Sequence, residues 1–429
     1  MAENPFFTGN PVNPANFVNR ARELRRVTGR ILSGQSSIIT GEPRSGKTSL
    51  LHYLKHPQQQ AALYGDQAAM LMFRYFDVDA LSDQFTQADF WARALEPLEE
   101  RLAKAPAGLR EAYDVCAQNH YTTFTLEKLL AQVQQAGLRL VLLIDEVDRL
   151  LGHASLNNAE FYGGLRSLTT RSNGALALVL AARQSVAQLN TATQQFSRTG
   201  SPYFNFLEEI PLRPFGQRSA LQVLARAQGR FSAEEQKNIL FYADGHPYYL
   251  QAAASALWET YEDLESDESD LENTPEKRWS AAYQAFYQKV SPNIQDTWNV
   301  WSPAMRKALA ILALDEIPTI LGEKRFNLEK LHAKLSLYDP EIKTLAYTGF
   351  IKEDPELPGG WQISAKVMLL WIGDALLRGL RDEAQATQWL AEQEWDGMFT
   401  RQEKEQLTNA AKGLVEWLPK LKALWQLFA

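Results

Sequence analysis

Apolar residues occur along this chain in two patterns that change near residue 216. Before that point they form short unbroken runs: Ser37-Ile-Ile-Thr40, Ala68 to Phe76, Leu140-Val-Leu-Leu-Ile144 and Ala175 to Ala182. Runs of this length fit strands buried on both faces of a parallel sheet. Ser201 to Phe215 has the composition of a last strand, and Phe90 to Lys104 and Phe124 to Ala136 carry helical spacing inside a long insertion between strands. Strands alternating with helices predict an α/β sandwich around a parallel sheet. Beyond residue 216 the spacing becomes helical. Gln217 to Gly229 and the segments around Pro247, Pro303 to Leu314, Leu328 to Leu335 and Pro340 to Tyr347 predict helices. Gly349 to Asp354 and Gly360 to Ser364 then predict a hairpin, followed by a helix over Ala365 to Leu380.

The last stretch repeats Trp389, Leu390, Trp395, Leu414, Trp417, Leu421, Leu424 and Trp425 at helical spacing, which predicts a helical hairpin. Those Trp residues suit a core, and a terminal helix ending at Phe428 equally suits docking to a partner. Glu259 to Glu276 is acidic with few apolar positions and reads as a solvated loop or linker. The expected domains are 1–215, 216–300, 301–372 and 373–429.

Composition sets the bounds on function. With 429 residues and 45% hydrophobic content the chain can build two or three cores. A net charge of −7 and a pI near 5.6 argue against a general polyanion binder. No apolar stretch is long enough to cross a bilayer, and the first residues lack a basic segment followed by an apolar one, so a soluble cytoplasmic protein is expected. The single Cys116 fits a reducing compartment, and neither Cys nor His falls at zinc-cluster spacing.

The candidate nucleotide contacts begin with Gly41-Glu42-Pro43-Arg44-Ser45-Gly46-Lys47-Thr48, a GxxxxGK[ST] sequence directly after an apolar run, and take in Ser49 beyond it. Backbone N–H groups of such a loop wrap phosphates, Lys47 reaches the β and γ oxygens, and Thr48 holds Mg²⁺. A helix starting near Lys47 adds its positive end. The Leu140–Ile144 run ends in Asp145-Glu146 and resembles the Walker B strand of P-loop ATPases. That resemblance implies that Asp145 holds the Mg²⁺ shell and Glu146 acts as general base. By itself an acidic pair at a strand end is also a common helix cap.

Phe17-Val18-Asn19-Arg20-Ala-Arg-Glu23-Leu24 resembles the box that opens many AAA+ and STAND ATPases, where it lies against adenine. Phe17, Val18 and Arg20 are then candidate base and ribose contacts, with Asn19 in the place of the usual Gly. Asn tolerates positive φ, so the turn can survive. An ordinary amphipathic helix start capped by Asn19 fits the same residues. Arg183 follows the Ala175–Ala182 run. The resemblance implies a γ-phosphate sensor there, and a strand-capping surface Arg is the alternative. Gly245-His246-Pro247 resembles the GxP motif, whose Pro starts a helix beside the base, although such turns also occur in helical bundles.

Taken in order, these motifs resemble a prokaryotic STAND or archaeal-type P-loop ATPase of the AAA+-like ASCE class over roughly Asn4 to Ile372. The implied fold is an α/β P-loop ASCE parallel-sheet sandwich followed by a helical lid, a winged helix and a C-terminal helical hairpin. The implied function is an ATP/ADP- and Mg²⁺-dependent switch that hydrolyses ATP slowly and can form a homo-oligomer. Its sensor or effector comes from partner proteins bound through the C-terminal region, a membrane plays no part, and Arg166, Arg171 or Arg198 can serve as a finger. DNA is disfavoured as a partner. The expected recognition helix offers Lys343 against Asp339 and Glu341, and the wing carries Glu353, Asp354 and Glu356 beside Lys352. An initiator-like ATPase and a non-hydrolysing, nucleotide-bound scaffold are the two rivals.

Overall fold

The computed structural model describes residues 3–196, 202–266, 273–380, 383–395 and 397–417. They fall into two compact units, Pro11–Leu212 and Arg213–Ala429, the second joined by Met1–Asn10.

In the first unit α1 (Ala21–Leu32) precedes β1 (Ser37–Thr40), α2 (Lys47–Lys55), α3 (Pro57–Tyr64) and β2 (Leu71–Asp77). The insertion holds α4 (Gln87–Glu99), α5 (Ala107–Gln118) and α6 (Thr123–Gln135). Then come β3 (Arg139–Asp145), α7 (Ala159–Arg171), β4 (Leu176–Ala182), α8 (Val186–Ala192) and β5 (Glu208–Pro211). All strand pairs are parallel, in the order β2-β3-β4-β1-β5, so each return to the sheet needs a helical crossover.

The unbroken apolar runs follow from burial on both faces. Leu140, Leu142 and Ile144 of β3 point into a core with Trp91, Leu129 and Phe161 from α4, α6 and α7. Val141 and Leu143 point the other way, into a core with Val27 and Ile31 of α1 and Leu50 and Leu54 of α2. The period of two therefore splits one strand between two layers of helix. α5, whose apolar Leu109, Tyr113 and Cys116 face inward, has no apolar run to predict it, because polar residues interrupt the pattern.

The second unit begins with α9 (Gln217–Leu224), α10 (Ala233–Ala243), α11 (Pro247–Glu265) and α12 (Pro275–Val300). Here the structure corrects the two ends of the acidic linker: residues 259–265 complete α11, and 267–272 lie outside the described residues. Their acids have partners that hold the helix, since Glu262 accepts from Trp258 Nε1 at 2.8 Å, Glu259 from Ser255 at 2.8 Å, and Glu265 pairs with Arg230 at 2.5 Å. α12, 26 residues long, starts at Pro275 with Thr274 as its cap, inside what was read as linker.

α13 (Pro303–Leu321), α14 (Glu329–His332) and α15 (Asp339–Thr348) then lead to an antiparallel pair, β6 (Ile351–Glu353) and β7 (Trp361–Ile363), in register Ile351 to Ile363. α13 runs past the expected Leu314 through a Pro inside the helix. α16 (Lys366–Gly379), α17 (Glu383–Glu392) and α18 (Arg401–Glu416) follow. Leu390, Trp395 and Leu414 are buried, and Trp395 Nε1 donates to the Pro303 carbonyl at 2.9 Å, so these positions are core. Trp417 stacks on Phe326. Leu421, Leu424, Trp425 and Phe428 lie outside the described residues.

The N-terminal residues pack within this second unit. Phe6 stacks on Phe231 with ring centres 5.7 Å apart, and Asn4 donates to Ser255. Residues 3–10, expected within 1–215, therefore form an N-terminal arm that belongs to the second compact unit.

Candidate functional site

The site lies at the C-terminal ends of β1, β3 and β4, where parallel sheets of this class present their crevice. β1 runs straight into the loop 41–46, and α2 begins at Lys47. Arg44 and Gly46 both adopt left-handed backbone, φ +65° and +97°, which turns successive N–H groups toward one concavity. Gly41 sits in close quarters. A Cβ there would come within 2.7 Å of Ser45 Oγ and 3.3 Å of Leu212. Lys47 is buried, and its ammonium donates to the carbonyls of Gly41 at 2.8 Å and Glu42 at 3.1 Å. Burial lowers the Lys47 pKa, opposed by the nearby charges of Glu146, Glu42, Asp145 and Asp148. Ser45 Oγ is buried with no hydrogen-bond partner among the described residues. An unsatisfied hydroxyl inside a turn of N–H groups suits an oxyanion ligand. Ser49 is committed elsewhere, since its hydroxyl accepts the Val12 N–H at 3.1 Å.

Asp145 ends β3 and is 2% exposed. Its Oδ1 accepts the Glu146 N–H and its Oδ2 the Tyr75 hydroxyl, both at 3.1 Å. Glu146 has φ +52°, and its Oε2 lies 3.3 Å from Arg183 Nε at the end of β4. Burial raises the Glu146 pKa, Lys47 and Arg183 pull it down, and Asp148 and Asp145 push it up. Asp148 also accepts the Arg183 N–H at 3.1 Å. The structure thus brings Lys47, Asp145, Glu146 and Arg183 into one charged cluster.

The N-terminal box forms a turn with two successive left-handed residues, Asn19 at φ +64° and Arg20 at φ +69°. Asn19 does what the usual Gly does at that position, and the residue before α1 is Arg20, so the Asn19 cap does not form. Arg20 is buried and donates to the Ser45 carbonyl at 3.1 Å, tying the box to the phosphate loop. Burial lowers its pKa to about 10. Phe17 stacks on Tyr53 of α2 with centres 4.5 Å apart, beside the half-buried Val18.

Pro247 stands at the first position of α11, in the other compact unit, with His246 as its cap. The residue with positive φ ahead of it is Asp244, at φ +49°, and not Gly245. Gly245 is needed for another reason: a Cβ there would fall 1.8 Å from the Phe215 carbonyl oxygen. Arg166 and Arg171 lie on α7, Arg171 3.7 Å from Glu127, while Arg198 is outside the described residues.

Two site residues escaped the sequence reading, Tyr75 and Asp148. Tyr75 becomes visible only once β2 is paired with β3, and no local pattern announces that pairing. Asp148 stands close behind the acidic pair and could have been weighed with it. Among the described residues no cluster of His, Cys, Asp and Glu is arranged to hold a metal ion by itself, and no helix is long and apolar enough to cross a membrane.

Comparisons with known proteins bear on the family and the fold. Residues 9–300 match the family described as AAA-like domain. The chain belongs to the AAA-like family. It is accordingly a P-loop protein of the AAA+ ATPase type. The Walker-type ATPase of Pyrococcus abyssi is similar in fold at 14% identity, covering 86% of this AAA-like chain and 99% of that one, with a TM-score of 0.50. The ORC2 protein of Aeropyrum pernix, in its ADP form, is 15% identical over 87% of this chain and 96% of its own, with a TM-score of 0.44. A comparison with curated proteins gave no match.

Proposed function

We propose that this AAA-like chain is a nucleotide-dependent switch that binds ATP and ADP and hydrolyses ATP slowly, of the STAND type. The observation that carries the reading is the convergence of Lys47, Asp145, Glu146 and Arg183 at the mouth of a loop with alternating left-handed backbone. Lys47, now bonded to loop carbonyls, has its ammonium where the β and γ oxygens of a triphosphate come to rest. The loop N–H groups and the start of α2 supply neutral donors to the same oxygens. Phe17, Val18, Arg20 and Pro247 are the proposed base-side residues.

The donor set also fits a hard divalent cation. Thr48 and Asp145 are the residues that would hold Mg²⁺, and the ion supplies neutralisation of the phosphate charge. Glu146 is the proposed base, taking a proton from the attacking water at its Oε2. In the present arrangement that oxygen is held by Arg183, so hydrolysis requires Arg183 to turn toward a γ-phosphate and release it. A slow, regulated turnover follows from that competition.

The helices α13 to α15 with the β6–β7 hairpin are read as a winged helix. Its acids, Asp339, Glu341, Glu353, Asp354 and Glu356, disfavour duplex DNA and favour a protein partner or a second copy of the chain. The Glu146–Arg183 contact also favours one other reading, a scaffold that keeps nucleotide without hydrolysing it.

Phosphate release separates the two. Glu146→Gln is expected to bind ATP like the parent and to lose turnover by on the order of 10²-fold or more, the scale of a lost general base. Parent protein that retains ADP and releases no phosphate identifies the scaffold, and normal turnover by Glu146→Gln removes Glu146 from the base role.

A further inference from the structure

The structure points to Tyr75 as a positioning residue for the Asp145 carboxylate, one that sets how strongly Mg²⁺ reinforces nucleotide binding. The inference rests on the nucleotide reading above.

Tyr75 lies on β2, level with Leu143 of β3, and its hydroxyl crosses to Asp145 Oδ2 at 3.1 Å. The other carboxylate oxygen, Oδ1, receives the N–H of Glu146. Two donors from two directions therefore pin the rotation of the carboxylate, and each oxygen keeps acceptor capacity for a cation. A ligating carboxylate held in this way binds metal better than one left to rotate, because the orientation is fixed before the ion arrives.

The ring is itself held by α2. His52 meets it edge-on with centres 4.9 Å apart, and Lys55 Nζ lies 4.7 Å from the ring centre. Thr48, His52 and Lys55 are four and three residues apart on that helix, so they share one face. The face that presents Thr48 to the proposed cation thus also carries the two side chains that fix Tyr75. Packing does not require the hydroxyl, because a Phe ring would fill the same space. The hydroxyl is needed for the carboxylate.

The test uses the full chain and a fluorescent methylanthraniloyl-ADP, first in EDTA and then with Mg²⁺ titrated at fixed nucleotide. Tyr75→Phe is expected to bind the Mg²⁺-free nucleotide like the parent. It should need about tenfold more Mg²⁺ to reach half of the metal-dependent gain, the lower end of what lost carboxylate support costs. An unmoved Mg²⁺ midpoint overturns the inference. So does loss of Mg²⁺-free binding in the variant, which marks a packing role, and so does a parent that binds nucleotide without responding to Mg²⁺. A parent that binds no nucleotide at all overturns the nucleotide reading itself, and this inference with it.

Discussion

At residue scale the site is governed by the placing of Glu146. Its carboxyl sits where burial favours the neutral form and two cations oppose that preference. A base must be ionised to act, so turnover should fall on acidification at a pH above the ordinary glutamate range. Arg183→Ala removes one opposing cation, and burial then weighs more heavily. Its acid limb in the pH profile of kcat/KM for phosphate release, which reports the free chain where the two side chains are paired, is expected to move to higher pH, while a limb that stays in place or moves down contradicts the Arg183–Glu146 coupling. Lys47, Thr48, Asp145 and Glu146 stand out in the sequence as candidates because the spacing of the phosphate loop and an acidic pair after an apolar run are local signals. Tyr75 was not, since its role comes from strand pairing, and neither was the commitment of Ser49 to Val12, which depends on the path of the arm. The opening box lay between these cases. Asn19 was recognised as able to take positive φ, but the matching strain at Arg20 and the burial of its guanidinium against Ser45 had no local mark.

At element scale the strands were readable and the helical half was less so. β3 and β4 are buried on both faces, and such strands announce themselves as unbroken apolar runs. The end of α11 hides in acidic sequence, because its acids are satisfied by tryptophan, serine and arginine partners that sequence spacing does not reveal. The turn before α11 yields a stability prediction. At Gly245 the obstacle is the Phe215 backbone, which cannot swing aside as a side chain can. Gly245→Ala should destabilise the helical unit by about 3 kcal/mol, the upper end of overpacking costs, measured by denaturant unfolding. A cost under about 0.5 kcal/mol, the size of an ordinary surface change, would contradict the close approach.

The join between α13 and the segment before α18 gives a pH prediction. Lys307 is 1% exposed, donates to the Met398 carbonyl, and lies 3.8 Å from the centre of the Phe399 ring. Burial lowers its pKa from 10.5 to about 8, Glu403 opposes the shift and Lys334 adds to it. Between those two values the folded chain has released a proton that the unfolded chain still binds. Stability contributed at this position therefore rises as the pH goes from about 8 toward 10.5, and below 8 the cost of the buried charge is fully present. Lys307→Met should lack that rise when its unfolding is compared with the parent across this range. Parallel profiles for the two proteins would place the proton elsewhere.

At the scale of the whole molecule, the family match over residues 9–300 takes in the sheet unit and reaches the end of α12. The remaining helices and the β6–β7 hairpin lie beyond it, in the part proposed to meet partners. The net charge of −7 and the acids of α15 and β6 make this an unfavourable surface for a phosphate backbone. Everything proposed for the chain depends on a nucleotide phosphate tail seated in the loop 41–46. Calorimetric titration of the full chain with an ATP analogue in magnesium, set beside Lys47→Ala, tests that directly. Saturable binding at one site per chain, abolished by Lys47→Ala in a protein that remains folded, is the expected result. No binding by the parent, or equal binding by the variant, contradicts it.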